Sequence, residues 1–163
     1  MEPTKEKKLR QSAQKVQDIL ISEGFSYEVV EMEETTRSAA DAAKAIGCEA
    51  GQIVKSLIFR GKTTGATYLV LVSGANRVDE KKLARHLSEP VKMADADFVR
   101  KATGYVIGGV PPLGHLISMK AIIDMDLLGY REIWAAAGTP YAVFKLTPDD
   151  LKRMTQGQVI SIS

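Results

Sequence analysis

The stretch Gln52-Ile53-Val54-Lys55-Ser56-Leu57-Ile58-Phe59-Arg60, the loop Gly61 to Gly65 and the stretch Thr67-Tyr68-Leu69-Val70-Leu71-Val72-Ser73 read as two adjacent strands of a β-hairpin. β-Branched, aliphatic and aromatic residues dominate both arms, and the glycines between them favour a reversal. The second arm is nearly all apolar, which suits a central strand covered on both faces.

Working outward, Leu9, Ala13, Val16, Ile19 and Leu20 recur at three- and four-residue steps, which predicts an amphipathic helix from Glu6 to Ile21 stopped by Gly24. Phe25 to Met32 alternates roughly and is expected to form a half-buried strand. Ser38 can cap a helix through Ala39 to Ala45 that closes at Gly47, and Asp79 and Asp95 can cap helices reaching Leu87 and Ala102. Asp79 is the better candidate, because Lys82 and Arg85 follow toward the favourable end of its helix dipole. Short strands are expected at Ala121 to Asp124, Glu132 to Ala137 and Ala142 to Leu146. Thr147-Pro148-Asp149-Asp150 then opens a last helix, and Gln158 to Ile162 forms a last strand. Strands and helices interleave without a regular βαβ rhythm, repeat or linker. The expected fold is α+β: one compact domain over residues 1–163, with a mixed, mostly antiparallel sheet and surrounding helices.

Composition agrees with one soluble domain: 163 residues, 45% apolar and 26% charged. With 22 basic and 20 acidic residues the net charge is +2, so any nucleic-acid contact must be local. Cys48 is the single cysteine, which rules out an intrachain disulfide and favours a reducing, cytoplasmic setting. Met1 to Arg10 carries no apolar signal segment, and no stretch approaches the roughly 18–20 apolar residues of a membrane span. Neither secretion nor a membrane partner is expected.

G-x-S-x-G, Walker, G-x-G-x-x-G and H-E-x-x-H motifs are all missing, and His86 and His115 are the only histidines. Lys55 is anomalous instead. Residues two apart on a strand share a face, so its ammonium points the same way as Ile53, Leu57 and Phe59. Either its stem lies over the core edge while the head reaches water, or the cation sits on a cleft floor to meet an anionic group such as a phosphate. A second anomaly is Gly108-Gly109-Val110-Pro111-Pro112-Leu113-Gly114. Such a loop can present main-chain amides to a carbonyl oxygen, and it reads equally as a tight structural turn.

Three motifs together carry a resemblance: Ile53-Val54-Lys55-Ser56-Leu57-Ile58-Phe59, Gly108 to Gly114, and Ala136-Ala137-Gly138 followed by Leu146-Thr147-Pro148-Asp149-Asp150-Leu151. In order and spacing, from about Ala39 to Leu151, the chain resembles the YbaK family. That family includes the editing insertion of bacterial prolyl-tRNA synthetase and its free-standing relatives. The resemblance implies trans-editing, hydrolysis of the ester that joins a wrong, small amino acid to tRNA. Lys55 would hold the phosphate and 3′-terminal adenosine. Gly108 and Pro112, the ends of a G-x-x-x-P loop, would position the ester carbonyl and the attacking water, and Gly138 would line the same pocket. Ile53, Leu57, Val72, Gly109, Val110, Gly114 and His115 would complete the substrate site. No metal, cofactor or side-chain nucleophile is implied, since the substrate's terminal ribose hydroxyl can help to activate the water.

One departure stands out: many relatives carry serine or threonine where Pro111 stands, so a hydroxyl contact is lost. His115 reads either as a polar group in the pocket or as an ordinary surface histidine. Editing itself has a physical rationale. One methylene is worth only about 1–3 kcal/mol, so a synthetase separates small side chains poorly and a second, size-limited pocket is needed. Lys62, Arg77, Lys81 and Lys82 are candidates for the tRNA body, or simply a solvated face. A synthetase is a candidate partner. Two other readings stay open: a non-catalytic tRNA- or synthetase-binding module of the same fold, and a small-molecule esterase.

Overall fold

Helix starts follow the side-chain oxygens that the sequence offers. The computed structural model describes residues 9–163, with five α-helices: α1 (Gln11–Ser22), α2 (Ala39–Ile46), α3 (Glu80–Leu87), α4 (Ala96–Thr103) and α5 (Pro148–Thr155). Ser38, Asp79, Asp95 and Thr147 each accept a hydrogen bond from the first turn of α2 to α5, contacts worth about 0.5–2 kcal/mol each. Asp79 and Asp95 both cap, so neither outranks the other. The Glu6 start expected for α1 lies outside the described residues, and the helix begins at Gln11.

Eight strands complete the unit: β1 (Val29–Glu31), β2 (Ile53–Gly61), β3 (Thr67–Ser73), β4 (Val91–Met93), β5 (Lys120–Asp124), β6 (Ile133–Ala136), β7 (Ala142–Leu146) and β8 (Gln158–Ile160). They form one sheet in the order β1-β7-β6-β2-β3-β5-β8, with β4 paired to β2 off that path. The β2–β3 hairpin pairs from Val54↔Ser73 to Arg60↔Thr67, as its sequence predicts. Four pairings are antiparallel, while β2–β6, β3–β5 and β5–β8 are parallel. Parallel pairs need a crossover, so they leave no local signature in sequence.

Alternation along β2 and β3 distributes side chains to two layers. Val54, Ile58, Leu69 and Leu71 pack with Ala13, Val16 and Leu20 of α1, Val99 of α4 and Leu151 of α5. On the other face Phe59, Tyr68, Val70 and Val72 pack with Leu83 of α3, while Ile53 packs with Ala42 and Ala43 of α2. Lys55 and Leu57 lie on this second face, between the two helix contacts.

The expected Phe25–Met32 strand is reduced to Val29–Glu31. Gln17 of α1 accounts for the difference: its side chain donates to the Tyr27 carbonyl at 2.9 Å and accepts from the Val29 N–H at 2.8 Å, so a side chain replaces a strand partner. β4 follows Pro90 and is too short to show alternation. Among the described residues, no helix is long and apolar enough to cross a membrane.

Candidate active site

One edge of β2 is paired to β3 from Val54 to Arg60, but the other edge changes partner. β6 holds Ile53 and Val54, and β4 holds Phe59 to Gly61. Lys55 to Ile58 therefore have no strand beside them on that edge. The Ile53 carbonyl accepts from Gly74 on the β3 side and the Ile58 carbonyl from Ala94 on the β4 side, so by the period of two the main-chain groups of Ser56 face the gap. A cleft of about 140 Å³ occupies it.

The cleft wall is apolar at Ala42, Ile53, Trp134 and Val143, and polar at Thr36, Ser38 and Ser56. Ile107, Gly108 and Val110 bring in the glycine loop, and Lys55 and Arg37 supply the cations. The Lys55 Nζ donates to the Asn76 carbonyl at 2.5 Å. Burial, then the neighbouring Arg77, hold this ammonium below the usual lysine range, while Asp124 acts in the opposite sense. Thr36 Oγ1 and Ser56 Oγ are both buried without a hydrogen-bond partner. Unpaired buried hydroxyls are uncommon, and both of these belong to residues that line the cleft.

Gly108 has φ +89°, and a Cβ there would stand 2.6 Å from Arg37 Cγ. Only glycine lets the loop pass so close to the arginine. Behind it, the Gly109 carbonyl accepts from the Gly138 N–H at 2.8 Å, which ties the late motif to the loop. Gly138 itself has φ +96° and backs onto α1, where a Cβ would meet the Ser12 carbonyl oxygen at 2.6 Å.

Of the residues singled out from sequence, Lys55, Ile53, Leu57, Gly108 and Val110 come together on the cleft. The others lie elsewhere. Val72 pairs with Lys55 but is fully buried against the α3 layer. Gly109 and Gly138 support the loop from behind, so Gly138 does not line the cleft. Pro112, Gly114 and His115 line a separate hollow of about 190 Å³ with Glu23, Leu69 and Met154. There the His115 Nε2 bonds the Pro111 carbonyl at 2.7 Å, which makes this nitrogen the donor. Burial pushes His115 below its ordinary value, and the Pro111 hydrogen bond resists. Pro111 is buried and also off the cleft lining, so the hydroxyl missing at this position is not missing from the cleft. Lys62, Arg77 and Lys81 are exposed, whereas Lys82 is engaged with Ser161 and Ser163.

Sequence reasoning passed over Thr36, Arg37, Ser56 and Trp134. Ser56 lies inside the quoted Ile53–Phe59 motif, and Thr36 and Arg37 immediately precede the Ser38 cap of α2, whereas Trp134 had no signal. The lining residues include no carboxylate, histidine or cysteine. What the cleft offers is positive charge, main-chain and hydroxyl hydrogen bonds and an apolar wall, a set suited to holding an anionic, ester-bearing ligand rather than to attacking it with a side chain.

Comparison with known proteins agrees with this chemistry. A solved structure provisionally described as a trans-editing enzyme for prolyl-tRNA synthetase superposes with a TM-score of 0.90 at 48% identity, covering 96% of this chain and 99% of that one. EbsC of Enterococcus faecalis, provisionally named a Cys-tRNA(Pro)/Cys-tRNA(Cys) deacylase, is 30% identical over 127 residues, 77% of each protein. The proline–tRNA ligase of Limosilactobacillus fermentum is 33% identical over 93 residues, 55% of this chain and 16% of the ligase. The family model of the aminoacyl-tRNA editing domain matches residues 33–154, a span that contains α2, the β2 cleft edge, the glycine loop and the late motif, and the chain belongs to that family.

Proposed function

We propose that this chain acts in trans as an aminoacyl-tRNA deacylase, releasing a small, wrongly attached amino acid. Residues 1–163 would work as one domain in the cytoplasm. The observation that carries the reading is that Lys55 and Gly108 line one cleft, at the break in the β2 edge. Lys55 holds the terminal phosphate and adenosine of the tRNA. The loop between Gly108 and Pro112 fixes the ester carbonyl and the water, with Gly108 at the cleft and Pro112 setting the path behind it.

Size supports the assignment of parts. An apolar cavity of about 150 Å³ accommodates a benzene molecule, so a cleft of this order takes an aminoacyl group but not a nucleoside as well. The adenosine therefore lies outside the aminoacyl part of the cleft, between Lys55 and the exposed lining residues Arg37 and Ile107. Because no lining side chain can serve as a carboxylate or imidazole base, activation of the water by the substrate's own ribose hydroxyl, without metal or covalent intermediate, is the mechanism that best fits the lining. Arg77 and Lys81, exposed beyond Lys55, would meet the tRNA body, and a prolyl-tRNA synthetase is the partner whose errors such a site would correct.

A deacylation panel tests the reading, with tRNAs charged with alanine, serine, threonine, cysteine and proline. Release above the spontaneous rate is expected for at least one of the smaller residues and only weakly for the bulkier ones. Binding of tRNA without hydrolysis of any ester, or cleavage of free aminoacyl esters with no advantage from tRNA, would contradict it.

A further inference from the structure

Asp124, at the end of β5, is 1% exposed, and among the described residues no lysine or arginine pairs with it. A carboxylate in such a place must be held by donors. Three hold it: its Oδ2 accepts from the Ser73 N–H at 3.0 Å and the Asn76 side-chain amide at 2.9 Å, and its Oδ1 from the Asp126 N–H at 3.0 Å. The Asn76 amide also reaches Asp126 Oδ2 at 2.7 Å, and its N–H bonds the Ser73 carbonyl at 2.9 Å. Asn76 is thus held through its side-chain NH2 and its main-chain N–H, and its main-chain carbonyl receives Lys55.

We propose that Asp124 is a positioning residue for Lys55: its carboxylate clamps Asn76, and the Asn76 carbonyl in turn fixes the ammonium at the cleft. The inference rests on the reading of Lys55 as the cation that holds the terminal phosphate and adenosine of the aminoacyl-tRNA. An asparagine at 124 would keep one acceptor oxygen in place of two, so it could hold either the Asp126 N–H or the Ser73 and Asn76 donors, and it would bring no negative charge. Other charged groups around Lys55 are Arg77 on the loop after β3, Asp126 beyond β5, and Arg37 lining the same cleft, while β3 brings none. Arg77 opposes the protonated state and Asp124 favours it.

The test follows Lys55 directly, by NMR titration of its side chain in the full chain, beside the pH profile of deacylation. Asp124→Asn is expected to lower the Lys55 midpoint by about one pH unit and to move the alkaline limb of kcat/KM down with it, whereas Asp126→Asn shifts both less. A purely capping role for Asp124 would lower the melting temperature and leave the Lys55 midpoint in place, and that result overturns the proposal. Should Asp124→Asn fail to fold, Asn76→Ala decides: it keeps the carboxylate and cuts the clamp, and a loss of about tenfold in kcat supports the proposal while an unchanged kcat overturns it. A midpoint that moves while the deacylation profile stays fixed upholds the clamp and counts against Lys55 as the cation that binds the tRNA end.

Discussion

Lys55 is the residue on which the proposed chemistry turns; the Asn76 main-chain carbonyl accepts from its ammonium, and Asp124 lies behind Asn76. With its pKa held below the ordinary 10.5, the cation is lost on the alkaline side earlier than in a solvated lysine. Deacylation should therefore fall with rising pH before 10.5 is reached. Gly108 answers Lys55 across the cleft and tolerates no side chain. Gly108→Ala combines a φ of +89° with a Cβ 2.6 Å from Arg37 Cγ, and is expected to cost about 1–3 kcal/mol of stability. Because Arg37 is exposed rather than in the core, the fold should survive, while the displaced loop should lower kcat/KM by about tenfold or more. Urea unfolding and single-turnover kinetics on the same preparation read the two effects separately.

At the scale of elements, the β2–β3 hairpin carries both Lys55 and its own reinforcement. Glu89 is buried under the turn, where it accepts from Tyr68 Oη and Thr64 Oγ1 at 2.7 Å and from the Thr63 and Thr64 N–H groups. These donors, Tyr68 first, lower its carboxyl from 4.5 to about 2. A depressed acid contributes stability that is present above its unfolded value and is lost as pH falls through its folded one. The urea midpoint should therefore drop between about pH 4.5 and 2, and Glu89→Gln should flatten that dependence. The hairpin was legible because its alternation and turn residues are local. Four caps were legible for the same reason, each being one oxygen beside the first turn. Phe25–Met32 misled, since alternation says that a segment is extended and half-buried but not that a strand lies beside it, and here Gln17 takes that place. The parallel pairings and β4 depend on distant chain, so nothing local announced them.

For the whole molecule, the site is a consequence of sheet order. β6 and β4 both reach the same edge of β2 and stop short of each other, and the gap between them holds the cleft. Sequence motifs located the two sides of that gap, Lys55 and the glycine loop, but could not say which loop residues face it. The loop turns inward after Val110, so Pro112, Gly114 and His115 end in a different hollow, and Gly138 serves as a strut against α1. Thr36, Arg37 and Trp134 arrive from distant parts of the chain and carry no motif of their own. The most direct test of the central claim is single-turnover hydrolysis of the best substrate from the charged-tRNA panel by the wild-type chain, Lys55→Ala and Lys55→Arg, each checked for native folding. If Lys55 holds the tRNA end at the cleft, Lys55→Ala loses about a hundredfold or more in rate with its melting curve intact, and Lys55→Arg recovers part of the loss. A folded Lys55→Ala protein that deacylates at the wild-type rate would contradict the account.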